Sequence, residues 1–271
     1  MAESLWTLRQ RVERMMGESI TGTPSGFLTV NTFGCTKLEV YSDDYFKDWH
    51  GRFYSGTHKD ISFVVTGFTQ AGGICAFSPS VSVKTDSTDL FELIAPDFSA
   101  DEINDAINLA ISMVEKEGLQ DKVDTTTEVV ASTYEYPIPV GFLYIREVYQ
   151  EDSVAGRYTA SSGRMDVRHW EILPGSPAKL WFNSSWASLS AGRHLRLVGQ
   201  QAPPQLATDA AICEVSPSYI VFQTKALLLA TRLTGTESTL RAQEQMTIAQ
   251  TMADRERQHL RVAGAGRRVA Y

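Results

Sequence analysis

Residues 99–118 read SADEINDAINLAISMVEKEG, and their fold decides the architecture, because the chain on either side of them has the texture of strands. Ser99 and Glu102 form the S-x-x-E pattern of a capping box, in which each side chain satisfies a backbone N–H left open at the start of a helix. Asp101 and Glu102 place negative charge at the positive end of the helix dipole. Ile103, Ala106, Ile107, Ala110, Ile111 and Val114 recur at spacings of three and four, which makes one unbroken apolar face, and Gly118 ends it. A helix is therefore predicted between two blocks of a different kind.

Upstream, from 21 to 98, short alternating or β-branched runs (KLEVY, ISFVVTGF, GICAF) are punctuated by Gly34, Gly56, Gly67 and the pair Gly72 and Gly73. That spacing predicts a small antiparallel module, a curled sheet or barrel. Within it, YSDDYFKDWHGRFYSG (41–56) alternates acids and aromatics, a pattern that suits a carbohydrate platform. Asp43, Asp44 and Asp48 lack the Asp-x-Asp-x-Asp-Gly rhythm of a calcium loop. The reading favoured is that Tyr41, Tyr45, Phe46 and Trp49 fill the core of the module while the acids cap a turn. Before the module, Leu5, Leu8, Val12 and Met15 line one stripe of a short helix that Ser4 caps and Gly17 stops.

Downstream, TYEYPIPVGFLYIREVYQED (133–152) reads as strand, proline-kinked corner, strand, and RHWEIL, AKLWFN and RHLRLVGQQAPP continue the β texture. SPSYIVFQTKALLLATRL (216–233) returns to helix, with Ser216 as cap and Pro217 at the first position. It is apolar nearly all round, so it is predicted to be the most buried helix. TLRAQEQMTIAQTMADRERQHLRV (239–262) is a polar helix with a thin stripe at Ala242, Met246, Ala249 and Ala253, read either as a solvated surface helix or as a contact with other subunits.

The fold class expected is α+β: a helical bundle with two inserted antiparallel β modules and an extended C-terminal arm. The divisions expected are a first bundle helix at 1–20, a β module at 21–98, a core at 99–262 with its β insertion at 133–215, and a flexible tail at 263–271.

Composition bounds the chemistry. The 271 residues are 43% hydrophobic and 21% charged, enough to bury a core, and no apolar run is long enough to cross a bilayer. The N-terminus mixes acid and base, which is not the pattern of a secretory signal. Cys35, Cys75 and Cys213 make no metal-type pair and fit buried thiols in a reducing cytosol. A net charge of −7 argues against tight gripping of nucleic acid, though not against letting it slide past.

Catalytic patterns are missing throughout. GAGRRVA at Gly264 has Val269 where a dinucleotide fingerprint needs its third glycine, and no phosphate-binding loop occurs. GESITG and GTPSG miss the nucleophile elbow. His50, His58, His169, His194 and His259 have no metal-ligand spacing, and a cryptic hydrolase pairing His169 with Asp166 lacks any activating pattern. No catalytic residue, cofactor or metal is expected.

The phrase TYEYPIPVGFLYIREVYQED, followed by HWEIL, PAKLWFN and LRLVGQQAPP and flanked by DEINDAINLAISMV and SPSYIVFQTKALLLA, resembles the head-to-tail adaptor (connector or neck) proteins of tailed bacteriophages. The resemblance runs from about residue 99 to the C-terminus. It implies a helical bundle carrying a β insertion, with Pro137, Pro139 and Gly141 as the hinge where the chain leaves a helix for the sheet. It implies a structural, non-enzymatic role in the virion neck, in a particle assembled in the host cytoplasm. The chain would self-associate into a ring, dodecameric by the resemblance, between the portal protein and a downstream neck or tail protein (stopper, tail terminator or nozzle). That ring would extend the channel through which double-stranded DNA passes without specific binding, away from any membrane. The alternative kept is a tail or decoration protein whose first β module binds a carbohydrate or another virion protein.

From Arg255 onward the chain carries five arginines and one glutamate, a charge of +4 that leaves −11 on the rest. The resemblance gives that end a role: Arg255, Arg257, Arg261, Arg267, Arg268 and Tyr271 form an arm that docks into the portal. Its arginines would pair with carboxylates, Tyr271 would anchor it, and binding would order it.

Overall fold

Ser4 acts as the sequence predicts. It ends a short strand, β1 (Glu3–Ser4), and caps helix α1 (Leu5–Met16), its hydroxyl accepting the Thr7 N–H at 3.2 Å. Leu5, Leu8 and Val12 are buried, while Met15, expected on the same stripe, is exposed. The computed structural model describes residues 2–17, 19–114, 118–159, 163–185, 187–233, 240–260 and 267–268. The chain forms two compact units, one from Met1–Met113 with Gln205–His259 and one from Val114–Pro204 with Leu260–Tyr271.

In the first unit, β2 (Ser19–Gly22), β3 (Gly26–Thr29), β4 (Thr32–Gly34), β5 (His50–Phe53), β6 (Ser62–Thr69), β7 (Ile74–Ser78) and β8 (Phe91–Ile94) make one antiparallel sheet, in the order β2-β8-β5-β6-β7-β4-β3. The sheet is a half-barrel wrapped on aromatic side chains. Phe33 and Phe91 lie 4.6 Å apart, Phe53 and Phe63 4.8 Å, and all four are buried. Gly51 permits this packing, since a Cβ there would stand 2.1 Å from the Phe63 ring. The acidic-aromatic stretch belongs to the core: Phe46 and Trp49 are buried, Asp43 accepts the Gln70 N–H, and Asp44 accepts the Phe68 N–H. Trp49 is therefore not presented as a platform for a sugar.

Helix α2 (Ala100–Ser112) carries the predicted capping box in both directions, Glu102 accepting the Ser99 N–H at 2.7 Å and Ser99 accepting the Glu102 N–H at 3.2 Å. Its buried face is Ile103, Ala106, Ile107, Ala110 and Ile111. Each fully buried isoleucine contributes about 1.5–3 kcal/mol relative to exposure.

The second unit holds β9 (Gln120–Glu128), β10 (Glu135–Pro137), β11 (Tyr144–Gln150), β12 (Trp170–Leu173), β13 (Lys179–Phe182) and β14 (His194–Gln201). A three-stranded sheet runs β10-β13-β12, and β11, β14 and β9 belong to another. Tyr136, Phe142, Ile145, Val148, Trp170, Phe182, Leu195 and Leu197 are among the side chains of its core. The division differs from the one expected. The β insertion begins at β9 rather than near 133, and the helices on either side of it group with the half-barrel rather than with the insertion.

The chain then returns to the first unit. β15 (Ile212–Cys213) pairs with β1, and α3 (Pro217–Leu233) and α4 (Leu240–Arg257) follow. Helix α3 packs against α1, α2 and α4, and Tyr219, Ile220, Val221, Thr224, Leu228 and Leu229 are all buried, as its apolar circumference predicts. A final strand, β16 (Arg267–Arg268), joins the second unit and completes the order β16-β11-β14-β9. The fold class is α+β, with four α-helices among the described residues.

Candidate functional site: the C-terminal segment and its support

Helix α4 lies on α3 through small side chains. Ala249 and Ala253 are buried, which lets the two backbones approach, and Gln250 donates to Gln223 on α3 at 3.4 Å. The other side of α4 is exposed and partly apolar, with Leu240, Ile248 and Met252 open to solvent. Arg255 is exposed and Arg257 half-buried in the last turn, where cations suit the negative end of the dipole.

Of the six positions expected in the docking arm, the structure describes four. Arg255 and Arg257 sit on α4 in the first unit. Arg267 and Arg268 form β16 in the second unit, their backbone pairing antiparallel with Ile145 and Tyr144 of β11. Arg261 and Tyr271 lie outside the described residues. At 267–268 the expected free arm is thus an edge strand. The physical reason is the flank of β11 not taken by β14, a row of N–H and C=O groups that a further strand satisfies.

Pro137, Pro139 and Gly141 also fall elsewhere than at a helix–sheet junction. Pro137 ends β10 and the other two lie between β10 and β11, so β9 separates all three from α2. The turn is fixed from several sides. Ile138 donates its N–H to the Ala178 carbonyl, Lys122 Nζ donates to the Val140 carbonyl at 2.7 Å, and Phe142 is fully buried. Gly141 has φ +97°, a conformation other residues rarely adopt, and a Cβ there would meet Lys122 Nζ at 2.7 Å.

A buried ionic cluster on α1 holds the first unit together, and the sequence reading did not find it. Arg9 is 0% exposed. Its guanidinium lies 2.8 Å from Glu92 of β8 and 2.7 Å from Asp209, and it donates to Asn104 of α2 at 3.1 Å. Gln10 donates to Glu92 at 2.8 Å and to Glu13 at 3.0 Å. Glu13 stands farther from Arg9, at 3.6 Å. Burial and the neighbouring Glu92 charge push Glu13 up to about 9, so it carries a proton at neutral pH. Burial also raises Asp209, but its hydrogen bonds from Arg9 and the Arg9 charge overcome that and hold it below the usual range. One arginine thereby ties α1 to the half-barrel, to α2 and to the segment that leads into α3.

In the second unit, a cleft of 380 Å³ beside β11 is lined by Arg146, Glu147, Arg164, Met165, Asp166, Val167 and Trp170. Arg164 pairs with Glu147 at 3.0 Å, and Tyr149 donates to the same carboxylate at 2.6 Å, which is the main cause of its raised phenol pKa. Asp166, considered with His169 as a hydrolytic pair, caps a short 3₁₀ turn (Val167–His169) by accepting the Arg168 N–H at 2.9 Å. That bond is the main reason its carboxyl lies below the usual range. Among the described residues no group of three or more His, Cys, Asp or Glu side chains is placed to hold a metal ion. No described helix is long and apolar enough to cross a membrane. The arrangement offers exposed helical faces, a paired strand edge and arginines, which are means of association.

No curated protein matches the chain. A family model does: that of the SU10 adaptor protein matches residues 81–269, from just before β8 through α2, the second unit, α3 and α4 to the last described strand. The match spans well over half of the sequence and takes in the same phrases on which the resemblance rests, so the chain belongs to the SU10 adaptor protein family of phage head-to-tail adaptors.

Proposed function

We propose that this protein is a structural component of the virion neck that forms a ring between the portal and the next neck or tail protein and extends the channel for DNA. The observation that carries the reading is the family match across residues 81–269, which includes α2, α3, α4, the β insertion and nearly all of the basic end. The work is mechanical. Each subunit offers weak contacts, and repetition around a ring makes them strong together. A body of charge −11 does not hold DNA by its phosphates, which suits a conduit.

Docking is assigned to the basic C-terminal end. Arg255, Arg257, Arg261, Arg267 and Arg268 supply bidentate donors for portal carboxylates, and Tyr271 supplies an aromatic anchor. In this reading β16 leaves β11 when the portal is met, exchanging one strand partner for another. Pro137, Pro139 and Gly141 set the corner between β10 and β11 beside that edge.

A chain truncated after Val262 tests the docking role. It is expected to keep the melting temperature of the full chain and to lose co-sedimentation with portal rings. Undiminished portal binding by the truncated chain rejects the docking role of Arg267, Arg268 and Tyr271, the positions it removes.

A further inference from the structure

Arg196 of β14 is half-buried, yet its side chain makes no ion pair and no hydrogen bond among the described residues. Its guanidinium lies over two phenol rings, 5.8 Å from the centre of Tyr149 and 5.8 Å from that of Tyr158. Two ring faces hold the cation in place without using its N–H donors, so the planar fork stays available to an anion.

Tyr149 is the direct cross-strand partner of Arg196 on one flank of β11 and of Arg164 on the other. Directly opposed residues of antiparallel strands project to one face, so Arg164, Tyr149 and Arg196 form a row across the sheet. Neighbouring strands lie about 4.8 Å apart, which sets the two arginine backbones about 10 Å apart. Arg164 also lines the 380 Å³ cleft beside β11. So does Arg146, the extra residue of a bulge between Ile145 and Glu147, whose contact with Asp121 is long at 3.9 Å. Of the three arginines only Arg164 has a close carboxylate, Glu147 at 3.0 Å.

The lining of the cleft decides which anion suits it. Glu147 and Asp166 stand among the arginines and would repel the dense, uniform charge of a phosphate backbone. Met165, Val167 and Trp170 add apolar and aromatic surface. Arginine with tyrosine, tryptophan and methionine is the mixture enriched where proteins meet proteins.

We propose that this face of the second unit is a docking site for an acidic polypeptide segment. Arg196 gives a two-pronged pair of donors to one carboxylate of the segment, and Arg146 and Arg164 attract another. The site uses none of the arginines of the basic C-terminal end, so it stands or falls separately from portal docking by that end.

Fluorescence anisotropy of a labelled oligoglutamate peptide, titrated with the full chain, tests the site, with a labelled DNA duplex as the second probe. The unaltered chain is expected to bind the peptide. Arg196→Ala is expected to weaken that binding at least about tenfold, the loss of a charge-assisted pair. Arg146→Ala combined with Arg164→Ala should weaken it as well, and Arg255→Ala on α4 far less. Arg196→Lys keeps a cation between the rings and covers the case in which the alanine variant loses its melting transition. It should still bind more weakly than the parent, because a point charge replaces the fork.

Peptide binding untouched by either change at Arg196, or absent from the unaltered chain, overturns the proposal. Equal losses from Arg196→Ala and Arg255→Ala would mean attraction to positive charge anywhere on the chain, and a duplex held through Arg196 as tightly as the peptide would mean a nucleic-acid site; either result also overturns it.

Discussion

Helices α1 and α4 belong to the same unit and use arginine in opposite ways. Arg9 is fully buried and gives its donors to Glu92, Asp209 and Asn104, residues distant in sequence that it draws to one point. Arg255 is exposed and has no ion-pair partner among the described residues. A guanidinium enclosed by its own fold has its carboxylates supplied, because an unpaired buried charge is too costly to keep. One on an open helix face costs the fold almost nothing and remains available to another surface. The contrast separates residues that hold this fold together from residues left open to another surface.

Removing the buried arginine is the strongest way to break that contrast. Arg9→Ala removes the buried cation beside Glu92 and leaves Asp209 only the longer 3.8 Å contact with Arg52, and is expected to lower unfolding stability by about 3–5 kcal/mol, read from urea melts. Arg255→Ala, by contrast, should stay within about 0.5 kcal/mol of the parent while reducing assembly. Equal destabilisation by the two substitutions would erase the distinction.

A smaller effect sharpens it. Glu13 has a folded-state pKa pushed above its ordinary value to about 9, so its contribution is fully present below the ordinary carboxylate range and is lost as pH rises toward about 9. Stability should therefore decline across that interval. Glu13→Gln, which keeps the neutral shape, should flatten the decline; an unchanged slope in melts taken over the same pH series would place the titration elsewhere.

The sequence was informative where local chemistry and burial agree. Ser99 and Glu102 announce α2, Ser4 announces α1, and the apolar circumference of 217–233 announces the buried α3. The half-barrel was legible from its glycine punctuation. Strand β9 was not, because none of its side chains is buried and Gln120, Asp121, Lys122 and Asp124 carry no apolar alternation. It is held as an edge strand by backbone pairing with β14, which a side-chain pattern does not report.

The Arg9 cluster escaped for a different reason. Reading α1 as an amphipathic stripe assigns Arg9, Gln10 and Glu13 to water, and the partners that bury them lie 83 and 200 positions away. The Arg9 and Glu13 spacing of four beside Leu8 and Val12 is the one local hint. The edge strand at Arg267 and Arg268 escaped because two arginines carry little β signal and the pairing depends on an open flank of β11. In the candidate site, the arginines were legible as an excess of charge, while their division between a helix and a sheet edge was not.

The most direct test of the account is electron microscopy of assembled necks, followed at residues 263–271 of this chain. The account predicts that in the ring Arg267 and Arg268 have left β11 and lie against portal carboxylates. Density that keeps Arg267 and Arg268 paired to Tyr144 and Ile145 of their own subunit, with no contact to portal, would contradict it.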